Sequence, residues 1–267
     1  MKQEIRTLTV DNRPVCCRFV SPAAPGNEES TLRLPVLLLH GLGCSGAAWV
    51  PSLNYLRHEC VNQFVYAPDL PGYGDSPGPR EALGMNDLAD WAVRLMDALG
   101  VETVHLAGNS MGCQVALAMA RRHPARVGGI VLLGPTTGRR YVSALRYFLG
   151  LFLDGVHEPV VYNGTLVRMY FAMGIRRYFA TAQKMLDDDP FAVIDQVHSP
   201  CLVLRAKHDG IVPNDVARRL ARALPQGGFL RLDRGAHAMQ FNRPTVFVPV
   251  AVSFWAGAEA GLGLHRD

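Results

Sequence analysis

The period of the apolar positions changes repeatedly along the chain, and each change marks an element. EIRTLTV and PVCCRFV are β-rich and flank Asp11-Asn12, a turn signal, so they predict a β-hairpin. SPAAPGNEES, rich in Pro, Gly, Ser and Glu, predicts an exposed loop. LPVLLLH is a short continuous apolar run and predicts a buried strand. WVPSLNYLRHE predicts a helix that starts near Pro51, since proline suits a first turn. NQFVYAPD is the next strand. In MNDLADWAVRLMDALG the residues Leu88, Trp91, Ala92, Leu95, Met96 and Leu99 share one helical face, and Gly100 is placed to stop it. ETVHLAG (strand), MGCQVALAMARRHP (helix) and ARVGGIVLLG (strand) continue the alternation.

From about Thr136 to Asp195 the pattern breaks. Aromatic residues recur at helical spacing and no buried β run occurs. Alternation resumes with SPCLVLRAKHD, PNDVARRLARALP, GGFLRLD and RPTVFVPVAVSFWAG. Strands alternating with helices predict an α/β fold with a mostly parallel sheet covered on both faces. The expected organisation is a core over residues 1–135 and 196–267, with a helical insertion at 136–195.

Composition narrows the function classes. The 267 residues are 49% hydrophobic and 19% charged, which is enough for a sizeable core. The formal charge of +4 is spread in doublets such as Arg121-Arg122 and Arg176-Arg177 rather than in a stripe, so no nucleic-acid partner is expected. None of the six cysteines forms a C-x-x-C pair, so no metal is expected. MKQEIRTLTV has no apolar signal region, and no run approaches a membrane span. A cytoplasmic location with free thiols is the expectation.

Two glycine patterns compete for the chemistry. VLLLHGLGCSG contains Gly41-x-Gly43-x-x-Gly46, a dinucleotide-binding fingerprint, with Asp69 at the end of the following strand. Gly108-Asn109-Ser110-Met111-Gly112 lies between a strand and a helix and reads as a nucleophile elbow. There the turn is so tight that serine Oγ is pushed outward, and side chains two positions before and after would collide with neighbouring backbone. A second match, Gly74-Asp75-Ser76-Pro77-Gly78, has no strand leading into it, and Pro77 has no N–H for an oxyanion. It reads as a turn.

A serine nucleophile needs a base and an orienting acid. Of nine histidines, His237 follows the last strand in a polar turn, and Asp209 ends the strand CLVLRAKH. The rival acids are Asp233 and Asp215; the rival base is His208. The order Ser110, Asp209, His237 is the order of a hydrolase triad.

With HGLG at 40–43, PDLPGYGDS at 68–76, GNSMG at 108–112, HDGIVP at 208–213 and GAH at 235–237, the chain resembles the α/β-hydrolase fold family over nearly its whole length. The resemblance implies a catalytic set of Ser110, Asp209 and His237, oxyanion N–H groups on Leu42 and Met111, and a helical lid at 136–195. It implies hydrolysis of a carboxylic ester, lactone or thioester without metal or organic cofactor. It also leaves open a C–C bond hydrolase of ring-fission products, although those commonly follow the histidine with Trp where Ala238 stands, and a cofactor-free haloperoxidase. A catalytically silent receptor on the same fold and a dinucleotide-dependent oxidoreductase are the readings from other classes. In this reading the three glycines of VLLLHGLGCSG let the backbone pass close to Ser110.

The insertion carries Tyr141, Tyr147, Phe148, Phe152, Tyr170, Phe171, Met173, Tyr178 and Phe179. Leu42, Met111, Tyr141, Phe148, Met239 and Phe241 are the candidate pocket residues. The expected partner is a small acyl substrate with an apolar or aromatic part, and a homodimer is open.

Overall fold

The computed structural model describes residues 3–22, 32–59, 63–138, 142–143, 145–147, 149–150 and 160–262. Eight strands form one sheet: β1 (Gln3–Val10), β2 (Arg13–Val20), β3 (Val36–Leu39), β4 (Val65–Pro68), β5 (Val104–Asn109), β6 (Val127–Leu133), β7 (Cys201–Ala206) and β8 (Gly227–Leu232). Their order is β1-β2-β4-β3-β5-β6-β7-β8. The β1–β2 and β2–β4 pairs are antiparallel, and the other pairs are parallel. The β1–β2 turn places Asp11 at φ 52 and Asn12 at φ 58. Two left-handed residues are what a two-residue hairpin matched to strand twist demands, and Asp and Asn tolerate them best.

The sheet is accompanied by helices α1 (Val50–Glu59), α2 (Met85–Leu99), α3 (Met111–Arg122), α4 (Val160–Met173), α5 (Ile175–Asp187), α6 (Asn214–Ala223), α7 (Met239–Asn242) and α8 (Pro244–Glu259), with short 3-10 turns between some of them. The period-2 rule splits each strand between two cores. Leu37 and Leu39 pack with α2, α3 and α6, while Val36 and Leu38 pack with Trp49, α1 and α8. On α2, Leu88, Trp91, Ala92, Leu95 and Met96 are buried, Leu99 is half-buried, and Gly100 caps the helix at φ 69. Each large side chain fully buried in this way stabilises the fold by about 1.5–3 kcal/mol. Among the described residues no helix is long and apolar enough to cross a membrane.

The parallel strands end together at one edge, and the functional turns follow them. Segment 134–200 leaves after β6 and returns at β7; it carries α4 and α5, followed by 3-10 turns at Pro190–Ala192 and Ile194–Gln196. They reach back over the turn after β3, because an added Cβ on Gly43 would strike the rings of Tyr170 and Tyr178. The SPAAPGNEES loop from residue 23 onward lies outside the described residues, as do Tyr141, Phe148 and Phe152.

Candidate active site

Strand β5 runs directly into α3 through Ser110, which adopts φ 55 and ψ −119. A non-glycine residue there is strained by about 1–3 kcal/mol and persists only when its surroundings impose it. Here backbone imposes it. A Cβ on Gly108 would lie 2.5 Å from the Gly112 carbonyl, and one on Gly112 would strike the Leu39 carbonyl oxygen of β3. Both elbow glycines are therefore required, and the half-buried serine stands at the positive end of the α3 dipole.

Asp209 and His237 meet after β7 and β8. His237 Nδ1 lies 3.0 Å from Asp209 Oδ2, with both residues buried. The other carboxylate oxygen, Oδ1, accepts from the Ile211 and Val212 N–H groups, each at 2.9 Å. Burial pushes the Asp209 carboxyl up. The facing His237 charge, its hydrogen bond and the two backbone donors outweigh this and hold the carboxyl below the usual range. The rivals stand elsewhere: Asp233, Asp215 and His208 are exposed.

Two residues that the sequence reading passed over tie this pair to the serine. Asn109, the residue before Ser110, donates from Nδ2 to the His237 carbonyl and to the Leu133 carbonyl, both at 3.2 Å. Its Oδ1 accepts from Gln240 Nε2 at 3.0 Å. Gly134, the first residue after β6, has φ 55, and a Cβ on it would lie 2.8 Å from His237 Nδ1 and 2.9 Å from Asp209 Oδ2. The available signals were a polar residue ending a buried strand and the Gly-Pro that closes the following one.

The HGLG turn is held from beneath. His40 is fully buried between two backbone partners: its Nδ1 lies 2.9 Å from the Gly41 carbonyl, and its Nε2 accepts from the Leu70 N–H at 3.0 Å. Burial lowers its pKa to about 4, so the neutral tautomer with the proton on Nδ1 satisfies both bonds. The glycines of this turn divide their work. Gly41 alone meets Ser110, with its added Cβ 3.2 Å from the serine Cβ. Gly43 yields room to Tyr170 and Tyr178, and a Cβ on Gly46 would strike the Ala67 carbonyl. The expectation that all three serve proximity to Ser110 is corrected accordingly.

The dinucleotide features are used up internally. A 3-10 turn begins at Gly46, capped by Ser45, so helical structure starts before Pro51. The Gly46 N–H that a pyrophosphate would need donates to Asp69 Oδ1 at 2.7 Å. Asp69 is fully buried, with Arg18 Nη1 at 2.7 Å and the Asp75 N–H at 2.9 Å. It is an internal brace between loops and not a ribose ligand. The ligand atoms of Cys16, Asp69 and Asp75 lie within 4.8 Å of one another. They do not suit a metal: Asp69 is already neutralised by Arg18, and burial pushes the Cys16 thiol up, away from the thiolate a metal binds.

Of the candidate pocket residues, Met111 is buried and Leu42 half-buried in the core that also holds Tyr73 and Tyr147. Tyr73 donates to Met111 Sδ at 3.5 Å and also bonds Thr181 of α5. Met239 packs on the other face of the sheet, with Trp49 and Phe247, away from Leu42. It also lies against Gly235, in the turn that carries His237. Phe241 is half-buried. In the insertion Tyr147 and Met173 are buried, while Phe171 and Phe179 face solvent.

The α/β-hydrolase fold model matches residues 35–156. RutD from Pantoea ananatis (strain LMG 20103), which carries the provisional name of a carbamate hydrolase, is 30% identical over 243 residues, covering 82% of this chain and 87% of RutD. The chain belongs to the α/β-hydrolase fold family. Within this family, a 2-hydroxymuconate semialdehyde hydrolase from Pseudomonas sp. (strain CF600) is 28% identical over 259 residues, covering 87% of this chain and 90% of the relative. Among solved α/β-hydrolase structures, a thermophilic esterase from Thermogutta terrifontis superposes with a TM-score of 0.75 at 22% identity, covering 99% of this chain and all of that one. The relatives are hydrolases, and so is this α/β-hydrolase family member at that level of description.

Proposed function

We propose that the protein is a serine hydrolase that opens a carboxylic ester, lactone or thioester through an acyl-enzyme on Ser110. One observation carries the reading: a serine held at φ 55 at the head of α3, with the Asp209–His237 pair tied to its neighbour Asn109. Ser110 Oγ attacks the carbonyl carbon as His237 takes its proton. Asp209 holds the imidazole by Nδ1 and stabilises its charged form. The N–H groups of Leu42 and Met111 receive the oxyanion, each worth about 2.7–4 kcal/mol in comparable sites. His237 then protonates the leaving group, and water activated by the same imidazole frees the acid. Leu42, Met111, Tyr147 and Tyr178, which share one core, give the acyl side an apolar wall.

Fluorophosphonate labelling tests the nucleophile. The folded protein takes up the label, and Ser110→Ala does not, with its ester turnover falling by roughly 10⁶-fold. A folded protein that resists the label would overturn the proposal.

A second reading, cleavage of a C–C bond beside a carbonyl, is favoured by the similarity to the 2-hydroxymuconate semialdehyde hydrolase over 87% of this chain. Comparing kcat/KM on p-nitrophenyl esters of rising chain length with that on a ring-fission dienol separates the two.

A further inference from the structure

We propose that the outer face of the α4–α5 hairpin is a docking surface for an anionic lipid bilayer. Val167, Phe171, Ile175 and Phe179 recur at every fourth position and are 53%, 83%, 71% and 54% exposed. Soluble monomers rarely leave so many large apolar side chains together in water, and such patches mark contact surfaces. These four line an open groove of about 560 Å³ with Tyr170 and Tyr178. The groove shares Gly174 and Ile175 with a second one of about 830 Å³, where Arg80, Arg176, Arg177 and Lys184 face a single acid, Glu81.

Charge identifies the occupant. From Val160 to Asp187 the two helices carry four cations, Arg168, Arg176, Arg177 and Lys184, against one acid, Asp187, at the far end of α5. Aromatic and aliphatic side chains flanked by cations are the composition of helices that lie in a membrane interface. The apolar stripe enters the acyl boundary while the cationic groove takes phosphodiester headgroups. A second copy of the chain fits less well. A two-fold contact sets each patch against itself, and Arg176 and Arg177 would then face the same arginines. Tyr170 and Tyr178, which line that apolar groove, also pack on Gly43 beside the candidate oxyanion turn. Docking therefore places the hairpin between the bilayer and that turn, whichever bond Ser110 opens.

Flotation of the full chain with vesicles of equimolar phosphatidylglycerol and phosphatidylcholine, at low and high salt, tests this. The protein floats with these vesicles at low salt and not with phosphatidylcholine alone. The double change Phe171→Ser, Ile175→Ser abolishes flotation. Arg176→Gln and Lys184→Gln each lower the partition coefficient roughly five-fold and flatten its salt dependence. Unchanged thermal melting shows that each variant is folded, and Lys184→Gln, at an exposed position, keeps the test usable where the double variant melts early. Absence of flotation with phosphatidylglycerol overturns the proposal, as does equal flotation with phosphatidylcholine alone. A wild-type dimer in light scattering that the double change splits, without vesicle binding, assigns the face to a second copy instead.

Discussion

The sheet edge that holds Ser110 and the hairpin that lies over it follow opposite rules. At the edge there is no room for a methyl group: one on Gly108 or Gly112 would meet backbone, and one on Gly134 would meet the His237 and Asp209 side chains. The polar side chains there are buried and bonded, from Asn109 between two carbonyls to Asp209 under two N–H donors. In the hairpin, Gly164 and Gly174 have nothing within 4 Å of an added Cβ, and Val167, Phe171, Ile175 and Phe179 face outward. The edge is over-determined and the hairpin is under-determined. Strain such as that at Ser110 can be stored only in the first kind of region, whereas changes of ligand preference accumulate most easily in the second.

After the loss of Ser110 itself, the largest expected effect sharpens the edge side of the contrast. Asp209→Asn removes the charge that faces the His237 imidazole and lowers kcat by about 10⁴-fold. Asp233→Asn, at an exposed position, leaves kcat within a few fold. Steady-state kinetics on one p-nitrophenyl ester decides it, and comparable losses in the two variants would reassign the acid.

A matched pair of alanines then compares the two regions directly. Gly134 and Gly174 both have positive φ, 55 and 80. Alanine at either one costs about 1–3 kcal/mol of backbone strain. Only at Gly134 does the new methyl press on His237 and Asp209. Gly134→Ala therefore loses about 10²-fold in kcat through displaced catalytic groups, while Gly174→Ala shows the lower melting temperature alone. A catalytic loss of similar size at Gly174 would mean that the hairpin is as tightly coupled to the site as the edge is.

The same contrast explains what could be read from the chain. The strands, their parallel order and the elbow were legible because local period and local glycines determine them. Leu37 to Leu39 alternate between two cores, and Gly108-x-Ser110-x-Gly112 encodes a collision that each glycine avoids. Pairing His237 with Asp209 needed only chain order and strand ends. What escaped depends on contacts distant in sequence. Asn109 gains its role from His237, 128 residues away. Asp69 resembles a ribose ligand until Arg18 and Gly46 are seen to bond it. Met239 lies against Gly235 in the His237 turn, yet it joins the core on the opposite face of the sheet, with Trp49 and Phe247. The aromatic residues of the insertion have one helical period, and that period does not say which side faces in. Tyr170 and Tyr178 turn toward Gly43, while Phe171 and Phe179 turn away.

His40 offers a test of rigidity at the edge through pH. Its folded pKa, about 4, lies below the ordinary value of 6.5 because burial disfavours the charged ring. Between these values the unfolded chain binds the proton and the folded chain does not, so stability falls as pH drops through 6.5 toward 4. The full loss is about 3 kcal/mol. The lowered Asp209 carboxyl acts in the same direction but further into acid: its contribution is present above the unfolded value and lost as pH falls through the folded one. Urea midpoints measured from pH 7 to pH 4 show the decline, and His40→Gln flattens it. An unchanged slope in that variant would place the acid-sensitive group elsewhere.

The smallest expected effect lies on the hairpin. Phe171 is 83% exposed, so Phe171→Ser removes little buried surface and moves the unfolding free energy by no more than about 0.5 kcal/mol. Tyr170 is its neighbour in sequence and faces Gly43, so Tyr170→Ser opens a gap over the HGLG turn and alters KM for long acyl chains. Denaturant melts and KM values for the two variants, measured side by side, separate the outer face of α4 from the inner one. A loss of several kcal/mol in Phe171→Ser would show that its ring is covered in solution. The hairpin would then belong with the tightly packed edge, and the contrast between the two regions would collapse.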